Sequence, residues 1–481
     1  MSMLVRETSR FAYQVRVSLL LSLTRRNSSS SLASNDIRDL IKTVNGLPKD
    51  FRGRCSVVLN NSDPITINRS LVVLFVLLNP GTSIDESAEL ATHFLYSAFL
   101  TAPMAAYLQQ SVQHIYSSQH EGAISFRANI PTRGRGKIFS LQTLVGVKPA
   151  MEMFQSSFSI FEGLKSIRKY FSSPEMVDRL DHFFSKLIPS HRAAYRRFHE
   201  TGVLAPFSLS TEAFIHPNRL LFSSTGEWLE METLNPLQGW DATAVQATGT
   251  LKRGVDSADI IGCLFFHVKA QLREFIRRIQ CFNVDIYTTQ FEPKILSAGL
   301  LAGVLPAFPC GGGCFDRIYV GDLMDHIGVQ ECLQDWAPLL NNGNEHATLL
   351  MYSKAWHVGR SNATALSDPH LAMMVLMDKF SHVGKQAKLK DIFSRGLRSP
   401  TLLKLLESLD AFYDHDPMFH QFLQDHCAHE EAASFGLRLR ERNQIHPKVR
   451  PGLLLVKEHD TDSELSALVS HLTHLIIIFQ T

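Results

Sequence analysis

Long apolar runs are missing from this 481-residue chain. The longest, LVVLFVLL (71–78) and LIIIF (475–479), fall well short of the ~20 residues that cross a bilayer, so neither a transmembrane helix nor a membrane partner is predicted. Paired cysteines are missing too. Cys55, Cys263, Cys281, Cys310, Cys314, Cys332 and Cys427 form an odd, scattered set without a Cys-x-x-Cys pair. That excludes a disulfide framework and a zinc ribbon and fits a reducing compartment, here the cytoplasm. An excess of one charge is absent: 48 basic against 46 acidic residues leave a net +2, too balanced for a nucleic-acid footprint. There is no nucleophile elbow, Walker loop or paired-carboxylate signature, so no catalytic residue is nominated. What remains is an ordinary globular composition, 45% hydrophobic and 20% charged, long enough for two or three cores.

The first 33 residues carry Arg6, Arg10, Arg16, Arg25 and Arg26 against Glu7 and are rich in serine, the composition of a mitochondrial transit peptide. The competing reading makes VRVSLLLSL (15–23) the first buried strand and TRRNSSSS (24–31) a polar insert with no apolar residue to bury. A helix follows, capped by Ser34, Asn35 or Asp36, with Ile37, Leu40, Ile41 and Val44 on its apolar face and a stop at Asn45-Gly46 and Pro48. CSVVLNN (55–61) reads as a strand buried on both faces. Asp63-Pro64 opens the next helix, over 65–78. Ser83 and Glu86 open another, with the stripe Leu90, Phe94, Leu95 and Ala98.

Farther on, Ile261, Leu264, Phe265, Val268, Leu272, Phe275, Ile276 and Ile279 mark a long amphipathic helix over 258–280. NVDIYTT (283–289), FDRIYVGD (315–322) and HATLLMYS (346–353) are strand candidates separated by helical or loop segments. GLLLV (452–456) and the terminal HLIIIF are further candidates, although the latter equally suits the end of a helix starting near Ser463. Such alternation predicts an α/β fold with a largely parallel sheet. The chain divides into a first strand with its insert (1–33), the first half of an α/β domain (34–125), a mostly helical insertion (126–257), the second half (258–357) and a mainly helical C-terminal region (358–481).

Three groups of reactive side chains have bland readings. Asp414, His415, Asp416, His420, Asp425, His426, Cys427 and His429 offer one-turn spacings but no complete ligand set, so no metal site is predicted. Arg192, Arg196 and Arg197 read as a solvated helix face. Cys310-Gly-Gly-Gly-Cys314 precedes a strand instead of a helix and reads as a flexible connection.

The segments NDIRDLIKTVNGLP, CSVVLNNSDPITINRSLVVLFVLL and ATHFLYSAFL resemble the N-terminal domain of unknown function shared by axonemal dynein assembly factors and many fungal proteins, some of which carry a MYND zinc finger. LFFHVKAQLREFIRRI and FDRIYVGDLMDHIGVQECLQDWAPLLNNGNEHATLLMYSKAW resemble later segments of the same family. The likeness covers about 34–110 and 235–357.

The resemblance implies a Rossmann-like fold related to S-adenosylmethionine-dependent methyltransferases. In those, a Gly-x-Gly turn follows the first strand and an acidic residue ends the second. Here Ala33 and Asn35 stand where relatives usually have glycine, and the second strand ends in Asn60-Asn61. The implied cofactor positions, Ser34, Asn35, Asp36, Asn61 and Asp322, thus form a degenerate pocket. Ala33-Ser34-Asn35-Asp36 joined directly to VSLLLSL would reproduce the relatives' turn, which favours the strand reading of 15–23 over the transit peptide. The expectation is a non-catalytic, methyltransferase-like assembly or interaction factor with protein partners and no cofactor. The alternative is an S-adenosylmethionine-dependent methyltransferase using Asn35, Asp36 and Asp322. The cysteine pairs of a MYND finger are lacking.

Overall fold

The computed structural model describes residues 16–23, 37–117, 125–229, 235–305, 308, 311–361, 363, 364, 370, 374, 394–396, 415–439 and 475–480. The chain forms two compact units, Met1–Leu296 with Leu305–Pro309, and Ser297–Val304 with Cys310–Thr481. The first unit opens with β1 (Arg16–Leu23), α1 (Ile37–Gly46), β2 (Arg54–Asn61), α2 (Pro64–Leu78), α3 (Ile84–Tyr96), β3 (Phe99–Leu100) and α4 (Ala102–Tyr116). It continues through β4 (Ser125–Pro131), β5 (Lys137–Thr143), α5 (Leu144–Gln155), α6 (Ile160–Phe171), α7 (Pro174–Lys186), α8 (Pro189–Thr201), β6 (His216–Pro217), α9 (Ala242–Arg253), α10 (Ile260–Cys281) and β7 (Asn283–Thr289). After α11 (Pro293–Leu301), the second unit holds β8 (Arg317–Tyr319), α12 (Met324–Ile327), α13 (Val329–Trp336), β9 (Thr348–Ser353), α14 (Asp416–Asp425), α15 (Ala428–Ser434), β10 (Arg438–Leu439) and β11 (Leu475–Gln480).

The architecture is mixed α/β with largely parallel strands. In the first unit the strands lie in the order β1-β2-β7-β5-β4, the first four parallel and β4 antiparallel to β5. β2 is buried from Cys55 to Asn61, as a strand covered on both faces requires. α2 starts where Asp63 caps Ile65 and Thr66 and Pro64 fills the first turn, and it stops at Asn79. All its residues from Leu71 to Leu78 are buried, so it is a core helix. The α10 stripe read from the sequence is buried throughout. On its other face Lys269 meets Asp85 at 2.9 Å and Glu89 at 2.6 Å, and Arg273 meets Asp85 at 3.2 Å, tying α10 to α3.

The reading of 126–257 as a mostly helical insertion is corrected at its start. β4 and β5 form a hairpin whose second strand extends the parallel sheet, pairing Ile138 with Ile286 and Leu141 with Thr289. β5 escaped the hydrophobic pattern because two of its three inward residues are polar: Ile138, Ser140 and Gln142 are buried in alternation. The later part is helical, and its Ile167, Phe214, Leu221 and Phe222 pack in one core with Phe99 of β3. The sequence divisions near 257 and 357 also differ from the compact units, since 258–296 belongs with the preceding residues.

In the second unit β8 and β9 are parallel, while β11 and β10 add antiparallel strands beyond β9. The strand expected over 315–322 is shorter than its apolar pattern. Only Arg317–Tyr319 pairs as a strand, Phe315 makes a single bridge to Leu340, and Gly321 turns the chain with φ 64°. The terminal HLIIIF is a strand and not a helix end: β11 runs antiparallel to β9, Ile478 opposite Leu350. Among the residues described after 358, helices α14 and α15 are joined by the short strands β10 and β11, and most of the region read as mainly helical lies outside the described residues. The insert at 24–31 and GLLLV lie outside the described residues. No helix among the described residues is long and apolar enough to cross a membrane.

Candidate functional site

Parallel strands bring their carboxyl ends to one edge of a sheet, where α/β folds place ligands. In the first unit that edge is aligned by register, Leu23 opposite Asn61 and Asn60 opposite Thr289. Its side chains are mostly spent on the protein's own backbone. Asn60, 3% exposed, donates from Nδ2 to the Phe291 carbonyl at 2.9 Å. Its Oδ1 accepts from the Phe291 amide at 3.0 Å and the Thr289 hydroxyl at 2.9 Å. Asn60 therefore closes the turn that leaves β7. Asn61 Oδ1 accepts from the Asp63 amide at 2.8 Å. The Asp63 carboxylate accepts from the Ile65 and Thr66 amides at 3.3 and 3.2 Å, satisfying donors that a helix start leaves open.

Among the described residues at this edge, Asn61 Nδ2 and Gln290 Oε1 are buried without a hydrogen-bond partner. They flank Ser62, whose carbonyl accepts from Gln290 Nε2 at 3.1 Å. The start of α5 closes in as well. Thr143 Oγ1 accepts from the Gly146 amide at 3.2 Å, and a Cβ on Gly146 would stand 1.7 Å from Gln290 Oε1, so glycine lets that helix approach the amide. One unpaired donor and one unpaired acceptor can hydrogen-bond a small polar group. Amides neither titrate nor attack, so what these two atoms offer is hydrogen bonding and not acid–base or nucleophilic chemistry.

Among the implied cofactor positions, Asn61 lies at this edge, while Ser34, Asn35 and Asp36 are outside the described residues. Asp322 belongs to the second unit. There it is 6% exposed and pairs with Lys354 at 2.8 Å. Beside it Asp325 accepts from the Lys354 and Ala355 amides at 2.7 and 3.3 Å and bonds the Ser353 hydroxyl. Asp322 is thus half of an ion pair in the turn that follows β8. Gln290 was missed by sequence reasoning. Its signal was present, since Thr288-Thr289, which immediately precede it, pair with Leu59-Asn60 at the end of β2.

The remaining constellations resolve into structure. Arg192 donates to the Leu187 carbonyl at 2.9 Å, and Arg197 to those of Pro206 at 3.1 Å and Leu209 at 2.6 Å. Arg192 and Arg196 are exposed, as a solvated helix face requires, while half-buried Arg197 is turned onto local backbone. His415 Nδ1 meets the Ala363 carbonyl at 3.0 Å, His426 Nδ1 that of Phe422 at 2.8 Å, and Asp425 pairs with Arg360 at 2.8 Å. Among the described residues no group of three or more His, Cys, Asp or Glu side chains is arranged to hold a metal.

Replacing Asp63 with alanine removes two acceptors from the start of α2. The expected cost is about 1–2 kcal/mol, read by urea denaturation, with Asp63→Asn restoring most of it; an unchanged midpoint would contradict the capping role.

Residues 18–100 match a family model described as a domain of unknown function (DUF4470). The matched span runs from Ser18 within β1 through β3 and so includes Asn60, Asn61 and Asp63. No curated protein and no solved structure matches the chain.

Proposed function

We propose that this chain is a non-catalytic, methyltransferase-like protein that acts in the cytoplasm as an assembly or interaction factor for other proteins, without a cofactor. The reading rests on one observation above others. At the end of β2, where a nucleotide-type cofactor needs a carboxylate for its ribose hydroxyls, Asn60 is consumed by the 289–291 turn and the Asp63 carboxylate by the start of α2. The replacement of turn glycines by Ala33 and Asn35 supports the same reading from the sequence. Kinship with dynein assembly factors, a Rossmann-like methyltransferase ancestry and a fungal source belong to the same proposal, resting on the word patterns quoted above.

The second reading, an S-adenosylmethionine-dependent methyltransferase, is favoured by the unpaired Asn61 Nδ2 and Gln290 Oε1 at the same edge. Titration calorimetry separates the two. The expected dissociation constant for S-adenosylmethionine is weaker than about 100 µM. A value near or below about 10 µM, lost in Asp36→Ala, would overturn the non-catalytic reading.

A further inference from the structure

The opposite edge of the first unit's sheet, where its parallel strands begin, gathers charge of one sign. Three chain segments meet there. Gly136 lies so close to β7 that a Cβ would fall 1.7 Å from the Val284 carbonyl oxygen, and one on Gly134 would fall 1.9 Å from that of Ile279. The β4–β5 turn is therefore pinned to the end of α10 and the start of β7. The 48–54 loop joins them: Phe51 packs edge-on to Phe282 at 5.7 Å, and Arg54 bonds Asp285 at 2.6 Å. Residues 48–54, 133–137 and 277–285 carry eight basic side chains and two acidic ones, in a chain whose total is nearly balanced. Charge has been segregated to this edge.

The two acids do not neutralise the surface equally. Asp285 is 3% exposed and sits beneath Arg54 while also accepting from the Lys137 amide at 3.0 Å. That leaves Asp50 as the exposed acid of these segments, against exposed Lys49, Arg52, Arg54, Arg135, Lys137 and Arg277. The hydrogen bond from Arg54 to Asp285 raises the guanidinium pKa further, so it remains charged. Arg133 turns the other way, donating to the Thr82 and Ser87 hydroxyls at 2.9 and 2.8 Å. The glycines on either side of Arg135 thus fix a turn that presents this one arginine outward.

We infer that this edge is a docking surface for an acidic segment of a protein partner, which rests on the reading of the chain as an interaction factor and names where and what it binds. Charge complementarity selects the occupant. Guanidinium forks match carboxylates in bidentate geometry, and four of the six exposed cations are arginines. Phe51 and Phe282 are spent on each other, so neither is a free ring on which bases stack. An acidic peptide fits this surface better than a single-stranded nucleic acid.

The test uses the full chain and a fluorescent peptide of about ten glutamates. Binding is followed by anisotropy at roughly 50 mM salt, where a Debye length exceeds the spacing of neighbouring charges. The wild type binds, and R52E/R135E/R277E weakens binding about tenfold or more. A control with the same change of net charge elsewhere, K165E/K169E/K252E, retains most of it. If the charge reversal prevents folding, R52Q/R135Q/R277Q replaces it, with a smaller loss expected. The inference is overturned if the peptide does not bind, if both reversals weaken it equally, or if a single-stranded oligonucleotide of equal charge binds more tightly through the same arginines. Calorimetry with S-adenosylmethionine is independent of all these outcomes: cofactor binding defeats the non-catalytic reading, whereas failure of the peptide without it defeats only this surface.

Discussion

Asn68→Ala is expected to lower the stability of the protein by about 3–5 kcal/mol, the loss typical when partners of a buried polar network are stranded. Asn68 is fully buried on α2. Its Nδ2 donates to Gln142 Oε1 at 2.8 Å and to the Pro64 carbonyl at 2.8 Å. Its Oδ1 accepts from Gln142 Nε2 at 3.0 Å and from the Tyr116 hydroxyl at 2.8 Å. Burial pushes the Tyr116 hydroxyl far above its ordinary pKa, so it remains a proton donor. Alanine leaves Gln142 and Tyr116 buried without their shared partner and opens a cavity beside them. Tyr116→Phe, which removes one hydroxyl, should cost only about 1–2 kcal/mol. Urea denaturation of the two variants checks the order; an Asn68→Ala loss below about 1 kcal/mol would remove this network from the forces holding β5 to α2.

The second large effect is a loss of stability as pH falls from about 6.5 to 4. His93 on α3 is fully buried, flanked by the rings of Phe214 and Phe265 at 5.1 and 5.5 Å, and burial depresses its pKa to about 4. Ser97 Oγ accepts from the Leu204 amide and meets His93 Nδ1 at 2.9 Å. The Ser97 oxygen has lone pairs for both neighbours, so this bond suits either neutral tautomer, and Nε2 on the far side of the ring is buried without a hydrogen-bond partner. Nearby Glu89 favours protonation and Lys269 opposes it. His267 on α10 is likewise held to about 4 by burial, bonded to Thr248 at 3.0 Å, with Asp241 raising its pKa and Lys42 and Lys252 lowering it.

In the unfolded chain both imidazoles titrate near their ordinary 6.5. Between that value and 4 the unfolded state binds protons that the folded state refuses. Each histidine then takes stability away at a slope approaching about 1.4 kcal/mol per pH unit, and the contribution is fully present only above pH 6.5. Asp85, whose pKa is lowered by its hydrogen bond to Lys269, adds a loss at more acid pH, below its ordinary 3.8. Urea midpoints at pH 7, 6 and 5 measure the slope. His93→Leu should flatten it by about half, and a slope unchanged in that variant would exclude His93 as its source.

Much of the fold was legible because the relevant signals are local. Asp63-Pro64 caps a helix through atoms two and three residues away. The α10 stripe and the continuous apolar run of β2 record burial directly in their periodicity, since both faces of β2 and one face of α10 meet apolar neighbours whatever the topology. β5 was not legible, because its inward Ser140 and Gln142 are tolerable only through Asn68, a partner 74 residues away from Gln142. The end of the chain was ambiguous for a related reason: LIIIF suits a helix or a strand, and pairing with β9 decides it.

At the candidate site, the sequence by itself determined that β2 ends in amides and that its next carboxylate is Asp63. Only the tertiary structure decided what those groups do. Asn60 reaches the turn after β7, Asp322 finds Lys354, and Asn61 Nδ2 and Gln290 Oε1 are left without partners. Whether a buried polar group is satisfied depends on atoms brought together from distant parts of the chain, which no local pattern records.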